Sequence, residues 1–304
     1  MAKQFNCKLI IFDYKGRKRY PLSIAKTISV LIIQRPKLLF VQNPSMILAG
    51  IGCLYKKIFG KCLIVDRHSN FMITKKRWSL LYKIMYNIFN RYTIKNSDIT
   101  IVTNSFISKI VKELGGNAYI LPDKIPNFKR PSFYDLKGKT SVLFIASHHL
   151  DEPLVEVINA GKAIIKHNIY IYITGDFSKI NKMKLGIPHN VTFTGYLPED
   201  KYINILNSVD IILVLTNNDK FLLCGCYEAI GVEKPLITSN KITLKNYFTD
   251  AVFVENCSKD IAKGIIKVSK NLMKYEYKVK NMKINLENDW EKRFEGIVKN
   301  IKNM

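Results

Sequence analysis

Residues 190–239 contain Asn190-Val-Thr-Phe-Thr-Gly195-Tyr196-Leu-Pro198, then Asn207-Ser-Val-Asp210, then Tyr227-Glu228-Ala-Ile-Gly231 and Glu233-Lys-Pro-Leu-Ile237, closing at Ser239. Apolar runs at Val191–Thr194, Ile211–Leu215 and Pro235–Thr238 read as strands. Helix-period segments at Asp200–Ser208 and Leu222–Gly231 separate them. Strands that alternate with helices predict crossover units and a parallel sheet.

The alternation continues in both directions. Downstream lie a strand at Val252–Val254, a helix at Lys259–Lys270 and a closing helix at Leu286–Ile301. Upstream lie strands at Ser141–Ala146 and Ile169–Thr174, with a helix at Leu154–His167 between them. A second series fills the amino-terminal part: strands at Cys7–Phe12, Leu38–Gln42, Cys62–Asp66, Ile99–Thr103 and Ala118–Leu121, and helices at Leu22–Gln34, Ser45–Phe59, Lys75–Lys95 and Ser105–Leu114. Pro122, Pro126 and Pro131 fall within ten residues between the two series and read as a linker. The expected organisation is a first domain at 1–121, a linker at 122–139, a second domain at 140–285 and a carboxyl-terminal helix at 286–304. At 304 residues, two cores are expected rather than one. Ligands of open parallel sheets bind outside the carboxyl ends of the strands.

The formal net charge is +24, and it is unevenly placed. Residues 1–139 carry 26 Lys and Arg against 6 Asp and Glu, and residues 140–304 carry 22 against 18. Such asymmetry points to an anionic partner for the first part, with nucleic acid and an anionic membrane surface as the two candidates and solubility alone as the plain alternative. No RNA- or DNA-binding motif accompanies the charge, so nucleic acid is set aside. Met72–Arg91 mixes aromatic, aliphatic and cationic residues at helical spacing, which suits a helix lying in a membrane interface. The plain alternative is a core-facing helix with a cationic outer face. Met46–Val65 is the nearest approach to the ~18–20 apolar residues of a membrane span, and Lys56, Lys57 and Lys61 break it. The six cysteines show no zinc spacing and read as free thiols of a reducing compartment. With no signal peptide read at Met1–Lys8, the expected location is the cytoplasm, peripheral at the membrane face.

The strand–Gly–aromatic turn at Gly195-Tyr196, the Ser208-Val-Asp210 pair before a buried strand and the block from Glu228 to Pro235 occur in register. Together they resemble the donor half of the retaining group 1 glycosyltransferases (family 4), which have the GT-B architecture. The resemblance implies two Rossmann-like domains with parallel sheets facing a cleft, the amino-terminal one abbreviated. It implies a nucleotide-diphosphate sugar, UDP- or GDP-linked, as donor substrate rather than a bound cofactor. Phe40-Val-Gln-Asn-Pro44, Val65-Asp66-Arg-His68, Val102-Thr-Asn104 and Leu121-Pro-Asp123 are similar to motifs of relatives that build lipid-linked oligosaccharides. A glycan or lipid-linked acceptor is therefore expected. A nucleotide-sugar epimerase of the same architecture and a non-catalytic or partner-dependent subunit remain open as alternatives. The oligomeric state is not readable.

The resemblance also implies site roles. Helix N-termini attract phosphate through their open N–H groups and dipole. The helix starting near Leu222–Gly225 supplies such an end, with Cys224 on it, and Gly225 lets a phosphate come close. Glu228, one turn on, matches the ribose-binding carboxylate; a solvent-facing helix Glu is the alternative. Gly195 and Tyr196 match the turn at the base, and Gly175 and Asp176 a second turn under the nucleotide. Ser147 can bond phosphate, Asp151 can cap the following helix, and Thr216 completes the donor set. Eight positions before Glu228 the family has a second Glu; here Lys220 stands, and Lys220 or Lys179 can supply positive charge for the diphosphate. His68, adaptable as acid, base or neutral partner, is the candidate for sugar or acceptor contact, with Asp66 orienting it or binding acceptor hydroxyls; a structural loop histidine is the alternative. His148 and His149 are weaker candidates. No ligand set has metal spacing, so no metal is expected.

Overall fold

The computed structural model describes residues 2–16, 18–43, 46–68, 79–128, 132–147, 149–176 and 186–304. Contacts divide the chain into two units, Met1–Pro122 with Glu291–Met304, and Asp123–Trp290.

The first unit holds a four-stranded parallel sheet of Leu38–Asn43 (β1), Cys62–Arg67 (β2), Ile99–Val102 (β3) and Ala118–Ile120 (β4), in that order. Its helices are Arg19–Gln34 (α1), Met46–Phe59 (α2), Leu80–Asn96 (α3) and Ser105–Glu113 (α4). Apolar Val41, Leu63 and Val65 on the strands pack with Ala49 and Cys53 of α2. Asn104 caps α4 by accepting from the Ile107 amide at 3.0 Å. Cys7–Phe12, expected as a strand, pairs with no strand among the described residues, and its Leu9 and Ile11 point to solvent. An apolar run becomes a strand only when a ladder partner takes up its N–H and C=O groups.

Helix α3 is turned inside out. Tyr86, Asn90, Thr93 and Ile94 are its buried row, at helical spacing. Leu81, Met85, Ile88 and Tyr92 form the opposite, exposed row. The buried Asn90 accepts a hydrogen bond from the Arg67 guanidinium at the end of β2. Burial lowers the pKa of Arg67, because a charge without water is disfavoured. The polar inner row thus serves a buried cation. The buried row of Leu80–Asn96 is half apolar and half polar, and its outer face carries Arg91 and Lys95 beside the apolar stripe. The part of the expected amphipathic segment before Ser79 lies outside the described residues.

The second unit holds six parallel strands: Thr140–Phe144 (β5), Ile169–Thr174 (β6), Val191–Gly195 (β7), Ile211–Val214 (β8), Leu236–Ser239 (β9) and Val252–Val254 (β10), in spatial order β10-β9-β8-β5-β6-β7. Taken from the first strand, this is the 3-2-1-4-5-6 order of a Rossmann sheet. Strand alternation divides the core. Val142, Phe144, Ile171 and Leu213 face Leu154–Ile164 (α5) and Ser258–Ser269 (α9). Leu143, Ile212 and Val214 face Glu199–Ser208 (α6), Cys224–Gly231 (α7) and Ile242–Tyr247 (α8). Each fully buried side chain of this size contributes roughly 1.5–3 kcal/mol. Asp210, from the motif before β8, accepts from the Ser141 amide and hydroxyl at 2.7 and 2.8 Å. It fixes the starts of β5 and β8, at the opposite end of the sheet from the strand carboxyl ends.

The closing helix is longer than expected, running unbroken over Leu272–Lys302 (α10). Tyr275, Val279, Met282, Leu286 and Trp290 form its buried row. The Lys- and Asn-rich sequence between them hides that row from a composition-based reading.

Candidate functional site

The strand order of the second unit reverses between β5 and β8, so the loops after these strands diverge and leave a crevice. A cavity of about 720 Å³ opens there. Its walls are Ile145–Ser147 after β5, Thr174–Asp176 at the end of β6, Val214–Thr216 after β8, Tyr196 after β7, and Leu223–Gly225 with Glu228 of α7. Glu199 and Tyr202 reach it from α6.

The sequence-derived residues Glu228, Gly225, Cys224, Tyr196, Gly175, Asp176, Ser147 and Thr216 therefore share one cavity wall. Gly195 is not part of the wall but makes the turn before it, with φ +74°. Gly175, at φ +104°, donates its N–H to the Gly195 carbonyl at 3.2 Å, joining the two turns. Only glycine adopts these backbone angles without strain. Tyr196 is left 84% exposed at the rim.

Helix α7 begins at the cavity without a side-chain cap. A Cβ on Gly225 would lie 3.2 Å from Ile145 and Val214, so the missing side chain lets the helix start seat on the ends of β5 and β8. Glu228 lies on the same helix, half-buried, and accepts a hydrogen bond of 2.5 Å from the Tyr202 hydroxyl. Burial raises the Glu228 pKa above its ordinary value, and the Tyr202 bond acts in the opposite direction. Burial beside this carboxylate raises the Tyr202 pKa as well.

Glu152, unmarked in the sequence, organises the loop after β5. Its carboxylate accepts from the Ser147 amide (2.9 Å), the Ser147 hydroxyl (2.8 Å) and the His149 amide (3.0 Å). Ser147 thus already has a partner. Asp151 does not cap α5, whose N-cap is Pro153 without a side-chain bond. It accepts instead from the Thr216 hydroxyl at 3.0 Å and pairs with His149. This ties the two diverging loops across the switch point. No local pattern announces these pairings, because Asp151 meets Thr216 across 65 positions and Tyr202 meets Glu228 across 26.

The cavity is rich in acids. Asp151, Glu152, Asp176, Glu199 and Glu228 line it, with His149, and among the described residues no Lys or Arg does. Lys220 is half-buried in the loop leading to α7, its amide bonded to Asn218, and is not part of the wall. Lys179 and His148 lie outside the described residues. No group of three or more His, Cys, Asp or Glu among the described residues is placed to hold a metal ion.

His68 and Asp66 belong to the first unit, at the end of β2. The Asp66 carboxylate stands 2.5 Å from His68 Nε2.

No curated protein matches the sequence. Several solved structures share the fold. Sucrose-phosphate synthase from Thermosynechococcus elongatus superposes with a TM-score of 0.73 at 14% identity, covering 95% of this chain and 80% of that one. Anabaena Alr3699/HepE in complex with UDP-glucose gives 0.72 at 11%, covering 100% and 88%. A glycosyltransferase from Rickettsia africae ESF-5 gives 0.68 at 14%, covering 99% and 86%. These likenesses span both units and identify the two-Rossmann-domain GT-B fold. Among family models, "Glycosyl transferases group 1" matches residues 130–285, more than half of the 304 residues. The match takes in every residue of the cavity wall. The chain belongs to the group 1 glycosyl transferases.

Proposed function

We propose that this glycosyltransferase moves a sugar from a nucleotide-diphosphate sugar to a glycan or lipid-linked acceptor at a membrane surface. The observation that carries the donor half is the cavity at the switch point of the second unit, with the uncapped start of α7 and Glu228 on one wall. The α7 N–H groups and dipole receive the diphosphate, and Glu228 accepts from the ribose hydroxyls. Tyr196, exposed at the rim, stacks on or borders the base. Three of the five acids of the wall are already engaged: Glu152 by loop donors, Asp151 by Thr216 and Glu228 by the Tyr202 hydroxyl. Lys220 is the proposed additional positive charge, and His68, oriented by Asp66, the proposed sugar-contacting group of the first unit. Solved GT-B structures in complex with UDP and UDP-glucose support the donor class for the fold. Retention of configuration is proposed from the family resemblance, and transfer without a protein-bound metal from the lack of a ligand set with metal spacing in the sequence.

The acceptor half rests on charge: the first unit carries 25 Lys and Arg against 6 Asp and Glu. No helix among the described residues is long and apolar enough to cross a membrane, so a lipid-linked acceptor is met at the surface. Calorimetric titration with UDP, GDP and their sugars tests the reading. Saturable binding of one nucleotide series is expected, and absence of binding to all of them overturns it.

A further inference from the structure

The outward row of α3 recurs at Leu81, Ile84, Met85, Ile88, Phe89 and Tyr92, a single stripe along one side of the helix, and all six are exposed. Ile88 is 62% exposed and Leu81 69%. A helix of a water-facing layer carries the opposite pattern, apolar in and polar out. Here the buried row is Tyr86, Asn90, Thr93 and Ile94, so the apolar stripe is not a misplaced core face. Helix α1 repeats the feature with a single buried residue, Leu31, and with Ile28, Ile32 and Ile33 exposed. Helix α2, which adjoins both, adds exposed Leu54 and Ile58.

Cations accompany this surface. Arg91 and Lys95 are exposed along the α3 stripe, and Lys26 and Arg35 along α1. The four helices α1 to α4 contain no Asp or Glu except Glu113. The second unit, with 23 Lys and Arg against 18 Asp and Glu, has no comparable field. Exposed apolar residues interspersed with cations, in helices that offer no acid, complement an anionic lipid surface: side chains enter the headgroup layer and cations meet lipid phosphates.

We infer that the outer face of α1, α2 and α3 is a docking surface for an anionic bilayer, with α3 lying in the interface. This extends the proposed reading of a membrane-surface acceptor by naming the surface that meets the bilayer, and it is testable apart from donor binding.

The test is flotation of the full chain with phosphatidylglycerol/phosphatidylcholine vesicles and with pure phosphatidylcholine vesicles, for wild type, Ile88→Glu and Ile33→Glu, with UDP titrated into each. Wild type is expected to float with the anionic vesicles and to lose recovery as salt rises. Each substitution is expected to lower partitioning by about tenfold, the loss of one buried aliphatic side chain, with UDP affinity unchanged. Both positions are exposed on different helices, so a folding defect in one leaves the other as a readout. Equal recovery on the two vesicle types, or unchanged partitioning of both variants, overturns the inference. So does a wild-type dimer that either substitution turns into a monomer without affecting flotation, since the face then joins two copies of the chain. Loss of UDP binding by wild type with flotation intact overturns the donor reading and leaves this one standing.

Discussion

In the second unit the strands and helices bury apolar side chains on both sheet faces, and the polar groups gather at the carboxyl ends of β5, β6 and β8. In the first unit α3 turns Asn90 and Thr93 inward and Met85 and Ile88 outward. One unit gathers its polar groups in a cavity; the other exposes an apolar stripe. The difference teaches that the same βα alternation specifies a fold without specifying which side of a helix meets water. That side is set by what the helix faces, here the buried Arg67 on one side and the proposed lipid surface on the other.

The largest expected effect probes that inversion. Asn90→Ala removes the acceptor from the buried Arg67 guanidinium and should cost about 1.5–3 kcal/mol, the range for hydrogen bonds to charged groups. Ile88→Ser, on the outward row, should leave thermal stability within about 0.5 kcal/mol of wild type. Thermal or urea unfolding compares the two. A cost at Ile88 equal to that at Asn90 breaks the contrast between the faces.

A comparable effect is expected in the second unit. Gly225→Val puts a branched side chain against Ile145 and Val214, where even a Cβ would stand at 3.2 Å. Overpacking of this kind costs about 1–3 kcal/mol, and the start of α7 should shift away from the strand ends. Lower unfolding stability together with lost UDP affinity is the expected pair of results. Unchanged values for both would separate α7 from the cavity.

Tyr202→Phe should weaken UDP binding about tenfold by freeing the Glu228 carboxylate from its fixed position, equivalent to one hydrogen bond of ~1.4 kcal/mol. Thermal stability should change less, because the ring still fills its place. Unchanged affinity removes Tyr202 from the positioning of Glu228.

The smallest effect is in pH dependence. The folded-state pKa of Glu228 lies above its ordinary value, so in the free protein this group favours folding most at low pH, and that contribution is lost as pH rises through the raised pKa. Ribose hydroxyls require the ionised form. UDP affinity should therefore begin to fall, on acidification, at a pH above the ordinary carboxylate value of 4.5. The fall should be smaller in Glu228→Gln, and identical profiles would show that Glu228 does not titrate at the ligand.

The sequence discloses the second unit well, because its strands are short continuous apolar runs punctuated by Gly and Pro, and local pattern suffices. Strands β6 and β10 lie at the expected residues Ile169–Thr174 and Val252–Val254. The run at Cys7–Phe12 looks the same locally and forms no strand, since pairing depends on a partner elsewhere in the chain. Helix α8 at Ile242–Tyr247 is too short to show a period. At the candidate site, local pattern singles out Gly175, Tyr196, Gly225 and Glu228, which line one cavity. Glu152, Asp151 and Tyr202 were not read as site-forming, since their roles arise from distant segments meeting at the switch point.

The central claim is that the cavity beside α7 takes the nucleotide of the donor, with Glu228 on the ribose. The direct measurement is the UDP dissociation constant of wild type and Glu228→Ala by calorimetry, with unfolding curves confirming that both are folded. Loss of two hydrogen bonds to a charged acceptor should weaken binding by about 100-fold or more. Equal affinity of the two proteins for UDP contradicts the account.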